Sequence, residues 1–138
     1  MTKHLLIVED NEQDLELARV ALELSEVRCE VSVARDGEEA LDFLYRRGAH
    51  VGRPGGQPDL VLLDLNMPRM NGHELLAAVK GDPALRRVPV VVFTTSGELR
   101  DRQAVAAVGA DGYVLKPEGF GDLIDTLNDL GRRWLAAS

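Results

Sequence analysis

Short apolar runs alternate with longer amphipathic segments along this chain, and the alternation repeats five times. The runs are Leu5-Leu6-Ile7-Val8, Cys29 to Ala34, Leu60-Val61-Leu62-Leu63, Val88 to Phe93 and Tyr113-Val114-Leu115. Three of them are continuously apolar and rich in Val, Leu and Ile, which predicts strands covered on both faces, as in a parallel sheet. The segments between them carry apolar residues at three-to-four spacing, the period of a helix with one buried face. Leu15, Ala18, Leu22 and Ser25 mark the first, Ala40, Leu41 and Leu44 the second, Leu75, Leu76 and Val79 the third, and Leu99, Val105 and Val108 the fourth. Phe120, Leu123, Ile124, Leu127, Leu130 and Trp134 mark a fifth that runs nearly to the end. Five strand-helix pairs predict an α/β doubly wound sheet with right-handed crossovers, punctuated by Gly37, Gly72, Gly109 and Pro117. One join is unusual. Residues 48–58, GAHVGRPGGQP, exceed the roughly 2 to 6 residues of a typical helix-to-strand connection. They are expected to form either a tolerated surface insertion or a partner-docking loop.

The residues after each run carry the chemistry. Glu9 and Asp10 follow the first, Asp64 the third, Thr94 and Thr95 the fourth, and Lys116 the fifth. In a parallel sheet these positions share one edge, and ligands bind outside the carboxyl ends of strands where the strand order reverses. Two carboxylates about 4 Å apart repel by roughly 4 kcal/mol at an effective dielectric near 20, so three of them together need a proton or a cation. Oxygen donors with few carboxylates suit Mg²⁺ better than Zn²⁺. The histidines, His4, His50 and His73, are scattered, and Cys29 stands alone. With such a cation, Lys116 and the Thr94 hydroxyl complete the parts needed to hold a phosphoryl group in line with a carboxylate nucleophile.

Composition narrows the function further. The chain has 138 residues, with 16 Lys+Arg against 23 Asp+Glu and a net charge of −7. That length suits one domain. An acidic surface is repelled by phosphate backbones, which argues against nucleic-acid binding. The basic residues occur only in pairs such as Arg46-Arg47, Arg86-Arg87 and Arg132-Arg133. The opening apolar run is four residues long, too short for an export signal or a membrane span, and the lone cysteine suits a reducing, cytoplasmic setting. Most of the other acids, Asp59, Asp82 and Asp101 among them, are expected to be solvated surface charges.

Taken together, Glu9-Asp10-Asn11, LLDLNMPRMNG around Asp64, Thr94, and GYVLKP ending in Lys116-Pro117 resemble the receiver domain of two-component response regulators over essentially the whole chain. The resemblance implies a flavodoxin-like fold with a five-stranded parallel sheet in the order 2-1-3-4-5 flanked by five helices. It implies that Asp64 is the phosphoacceptor, taking phosphate from a sensor histidine kinase, and that Glu9, Asp10, Asp64 and the backbone carbonyl of Asn66 bind Mg²⁺. Glu9 stands where the family more often has Asp, which leaves open whether it acts through a bound water. Thr94 and Tyr113 match the switch pair, and Lys116 the phosphate-binding lysine; for Tyr113 a simple core role remains the alternative. No output domain is expected, so one receiver is expected to span 1–138 and to act by binding a partner, with self-directed phosphotransfer and autodephosphorylation as its only chemistry. The long insertion and the terminal LGRRWL resemble single-domain regulators that accompany phytochrome-type histidine kinases. The rivals are a chemotaxis-type stand-alone receiver and a phosphorelay shuttle. Trp134 is expected either to close the core or to anchor a homodimer through the fourth and fifth helices. A haloacid-dehalogenase-like phosphohydrolase shares an aspartate nucleophile, Mg²⁺, Thr and Lys, but Asn66 stands where that family has its general acid. A flavodoxin-like flavin binder is disfavoured because Glu9 and Asp10 would repel a phosphate after strand one.

Overall fold

Five parallel strands, β1 (Lys3–Val8), β2 (Cys29–Ala34), β3 (Leu60–Leu63), β4 (Val90–Thr94) and β5 (Gly112–Leu115), form one sheet in the order β2-β1-β3-β4-β5. They alternate with helices α1 (Glu12–Leu24), α2 (Gly37–Tyr45), α3 (Gly72–Gly81), α4 (Leu99–Val108) and α5 (Phe120–Trp134). The structure is a computed structural model and describes residues 2–65, 67, 70–95 and 97–136. Successive strand side chains point to opposite faces, so each central strand feeds two cores. Leu5, Ile7, Leu60, Leu62, Val91 and Phe93 pack under α1 and α5. Leu6, Val8, Val61, Leu63, Val90 and Val92 pack under α2, α3 and α4. This two-sided burial is why β1, β3 and β4 read as continuous apolar runs, whereas the edge strand β2 leaves Glu30 and Val31 exposed.

Helix starts are set by side chains that accept the first free backbone N–H groups. Asn11 accepts from Asp14 at 2.9 Å and Asp36 from Glu39 at 2.8 Å. Asn71 and Glu74 form a reciprocal capping box at α3, which stabilises the helix end closest to Asp64.

Several expectations need correction. β1 begins at Lys3, since Lys3 and His4 pair with Cys29 and Glu30. β4 begins at Val90 and extends to Thr94, because Pro89 has no N–H to offer the ladder; Val88 is buried in the preceding turn. In α4 only Val105 is buried, while Leu99 is 66% and Val108 42% exposed. In α5, Leu123, Leu127 and Leu130 are buried, Phe120 is exposed, and Ile124 and Trp134 pack partly on the α1/α5 core. Asp59 and Asp82 are tied to backbone rather than merely solvated: Asp59 accepts the His4 N–H at 2.8 Å and Asp82 the Ala84 N–H at 2.8 Å. Asp101 lies 3.5 Å from the His73 imidazole.

The 48–58 insertion is an ordered appendage of α2. A short 3-10 turn at Gly48–His50 leads to Arg53, whose guanidinium lies 4.0 Å from the Phe43 ring centroid and donates to the Phe43 and Gly56 carbonyls at 3.0 and 2.9 Å. Among the described residues, no helix is long and apolar enough to cross a membrane.

Candidate functional site

The carboxyl edge of the sheet gathers the charged residues that follow β1, β3 and β5. The Glu9 N–H donates to Ala34 O at 2.9 Å, extending β1 by one residue, and Glu9 is 5% exposed. The Asp64 N–H donates to Val8 O at 3.1 Å, which fixes the end of β3 against β1. With Asp10, exposed at the rim, these residues each offer a carboxylate oxygen, and the three oxygens lie within 4.8 Å of one another.

Lys116 enters from the end of β5. Its backbone N–H donates to Thr94 O at 2.7 Å, so the β4 and β5 ends arrive together. Its ammonium donates to Glu9 Oε1 and to Asp14 Oδ2, the latter at 3.0 Å, and lies 3.8 Å from Asp64 Oδ2. Burial pushes the Glu9 carboxyl up to about 7, and the neighbouring Asp64 charge adds to this, against the opposing pull of the Lys116 ammonium. Burial alone would lower Lys116, but the Glu9 hydrogen bond and the charges of Asp64 and Glu9 outweigh it and hold the lysine above its usual value. The pocket thus has more negative charge than one lysine balances. Hard oxygen donors with a surplus of negative charge fit a divalent cation such as Mg²⁺, which would sit among Glu9, Asp10 and Asp64.

Thr94 is fully buried at the end of β4, and Thr95 beside it is exposed. Tyr113 lies opposite Val92 in the ladder and is half-buried against the α2/α3/α4 core, with the Arg102 guanidinium of α4 5.6 Å from its ring centroid. Asn66 lies outside the described residues. Of the other expected site residues, Glu9, Asp10, Asp64 and Lys116 come together directly, and Thr94 adjoins Lys116 through the backbone. Asp14 was not among the expected residues. An acid in the first turn of a helix is ordinarily explained by the helix dipole, and nothing local in the sequence couples it to a lysine 102 positions away.

A sheet of this order, with an acidic trio and a lysine at its carboxyl edge, defines a receiver of two-component signalling. The response regulator receiver domain model matches residues 5–128, and the chain belongs to that family. Response regulator Rcp1 of Synechocystis sp. is 37% identical over 133 residues, covering 96% of this chain and 89% of the relative. The Mn²⁺-bound form of Rcp1 superimposes with a TM-score of 0.87 at 36% identity, over 99% of this chain and 96% of that one. The phosphorylated cyanobacterial phytochrome response regulator RcpA gives 0.90 at 36% identity, over 100% and 97%. The bacteriophytochrome response regulator AtBRR gives 0.83 at 43% identity, over 100% and 97%.

Proposed function

We propose that this receiver accepts a phosphoryl group onto Asp64 from the phosphohistidine of a sensor histidine kinase of the phytochrome type, in a Mg²⁺-dependent reaction. The observation that carries the proposal is the meeting of the Glu9, Asp10 and Asp64 carboxylates within 4.8 Å of one another, with the Lys116 ammonium 3.8 Å from Asp64. The likeness to RcpA and AtBRR, both named as phytochrome regulators, supports the choice of kinase.

In this mechanism an Asp64 carboxylate oxygen attacks phosphorus, the P–N bond breaks, and its electron pair stays on the departing imidazole nitrogen. Asp64 is left as an acyl phosphate. Glu9, Asp10 and Asp64, with the Asn66 carbonyl, would hold Mg²⁺, which when bound would supply positive charge to the transferring oxygens. Lys116 supplies a second positive charge to those oxygens, and the Thr94 hydroxyl supplies a donor. Movement of Thr94 toward the phosphoryl group then biases Tyr113 and, through the Arg102 contact, α4. This is a two-state equilibrium shifted by differential contacts.

Residues 1–138 act as a single receiver whose output is a change in partner binding, in the cytoplasm and away from nucleic acid and membrane. Its chemistry is confined to its own phosphorylation and dephosphorylation. Exposed Leu99 and Val108 on α4, Leu115 at the end of β5 and Phe120 at the start of α5 support a homodimer through α4 and α5, with the outer part of Trp134 at its margin. Incubation with a labelled small-molecule phosphodonor and Mg²⁺ tests the central claim. Wild type is expected to take up label and Asp64→Asn to take up none; equal labelling of the two would refute it.

A further inference from the structure

We infer that Asp14 is a positioning residue that restrains Lys116, competing with a phosphoryl group on Asp64 for the lysine's ammonium. This rests on Asp64 being the phosphoacceptor. An ammonium has three N–H donors, and here two are committed, one to Glu9 Oε1 and one to Asp14 Oδ2 at 3.0 Å. Asp64 Oδ2, at 3.8 Å, is beyond hydrogen-bond reach. Asp14 lies outside the trio whose oxygens lie within 4.8 Å of one another, so a cation drawing on Glu9 leaves the Asp14 contact in place. Asp14 is also well placed to hold on: it sits in the first turn of α1, and its backbone N–H is fixed by the Asn11 side chain at 2.9 Å. The Lys116 side chain is 13% exposed, so its charge is poorly shared with water and its protein partners matter correspondingly more. To reach a phosphoryl oxygen the ammonium must turn away from α1, and the Asp14 carboxylate opposes that turn.

The restraint is tested by beryllofluoride binding to the full chain with saturating Mg²⁺, followed by titration calorimetry. Asp14→Asn keeps the backbone N–H that meets Asn11 and removes only the charge. It is expected to bind beryllofluoride about three- to tenfold more tightly than wild type, in line with the strength of a charge-assisted hydrogen bond at a partly exposed site. Asp14→Glu, which restores the charge, is expected to return the affinity toward wild type. Glu118 lines the same mouth as Asp14 and Lys116, and Glu118→Gln removes an equal charge without removing a Lys116 partner; it is expected to have less than half the effect. An Asp14→Asn protein that binds no more tightly than wild type overturns the restraint, as does a Glu118→Gln gain equal to that of Asp14→Asn. Wild type that takes up no beryllofluoride overturns the phosphoacceptor assignment as well.

Discussion

Gly72 meets the backbone of Asp64 where a side chain has no room. A Cβ at position 72 would lie 2.4 Å from the Asp64 carbonyl oxygen and 2.6 Å from the Leu65 Cα. Both are main-chain atoms, so neither can swing aside as a side chain would. The Gly72 N–H donates to Leu65 O at 3.0 Å, and the Asn71–Glu74 capping box starts α3 at this point. The helix therefore begins pressed against the strand end that presents Asp64. Gly72→Ala is expected to cost about 1–3 kcal/mol of stability through this overpacking and to lower phosphoryl uptake by displacing Asp64. Denaturant unfolding together with phosphodonor labelling checks both; an unchanged midpoint would mean that the contact yields easily.

Glu9 is expected to make cation binding depend on pH. Its carboxyl is raised from 4.5 to about 7 by burial and by Asp64, against the pull of Lys116. Between those two values the folded protein holds a proton that the unfolded chain has lost. The stabilisation from Glu9 is thus fully present below pH 4.5 and is lost as pH rises through 7. Mg²⁺ requires the ionised carboxylate and competes with that proton. At pH 6, one unit below the Glu9 value, only about a tenth of the sites are ionised, so the affinity for Mg²⁺ is expected to be about tenfold weaker than at pH 8. Thermal unfolding with and without Mg²⁺ at the two values provides the measurement. A Mg²⁺-induced rise in Tm that is as large at pH 6 as at pH 8 would falsify the linkage.

Lys80 ties the opposite end of the sheet. Its ammonium, on a side chain 9% exposed, donates to Arg86 O at 3.1 Å, to Val88 O at 2.9 Å and to Asp111 Oδ2 at 2.8 Å. The same Asp111 oxygen accepts the Val90 N–H at 2.8 Å, so one lysine joins α3 to the entries of β4 and β5. Lys80→Met leaves two carbonyls and a partly exposed carboxylate without this donor, and is expected to cost about 1–3 kcal/mol. The cluster lies away from the acidic edge, so phosphodonor labelling at low temperature is expected to stay at the wild-type level. Loss of labelling in folded Lys80→Met protein would show that the two ends of the sheet are coupled.

The central site was legible because it depends on strand ends. Glu9, Asp64 and Lys116 each follow an apolar run directly, and a parallel sheet carries such positions to one edge. The three doubly covered strands were legible for the same reason. What escaped depends on tertiary context. Asp14 looks like an ordinary first-turn acid until α1 is laid beside the end of β5. Leu99, six residues before Val105, lies about 120° around the helix from it and is exposed, and Val108, three residues after it, is exposed as well; the apolar residues of α4 read as one stripe in the sequence, but only Val105 meets the sheet. The start of β1 was missed because Lys3 and His4 join the ladder through their backbones, which an apolar-run criterion does not see.

The insertion at 48–58 is the remaining segment whose role the sequence left divided, and its anchoring makes the division testable. Arg53 stacks on Phe43 and donates to the Phe43 and Gly56 carbonyls, while Gln57 Nε2 donates to Leu44 O at 2.8 Å. Phe43 is 3% exposed and belongs to the α2/α3/α4 core, so Arg53 fastens the loop to buried structure, with Gln57 as a second tie to α2. Arg53→Ala removes the cation-π contact and the guanidinium's hydrogen bonds to the Phe43 and Gly56 carbonyls and to Gln57 Oε1. It is expected to cost about 1–2 kcal/mol and to open residues 48–58 to limited proteolysis, with small-donor labelling of Asp64 unchanged. If the loop is only a fastened insertion, phosphotransfer from a cognate kinase should also be unchanged in the folded variant. If it docks the kinase, that transfer should slow while small-donor labelling stays normal. Comparing the two donors on Arg53→Ala therefore separates the roles, and resistance to proteolysis equal to wild type would show that Arg53 is not the fastening.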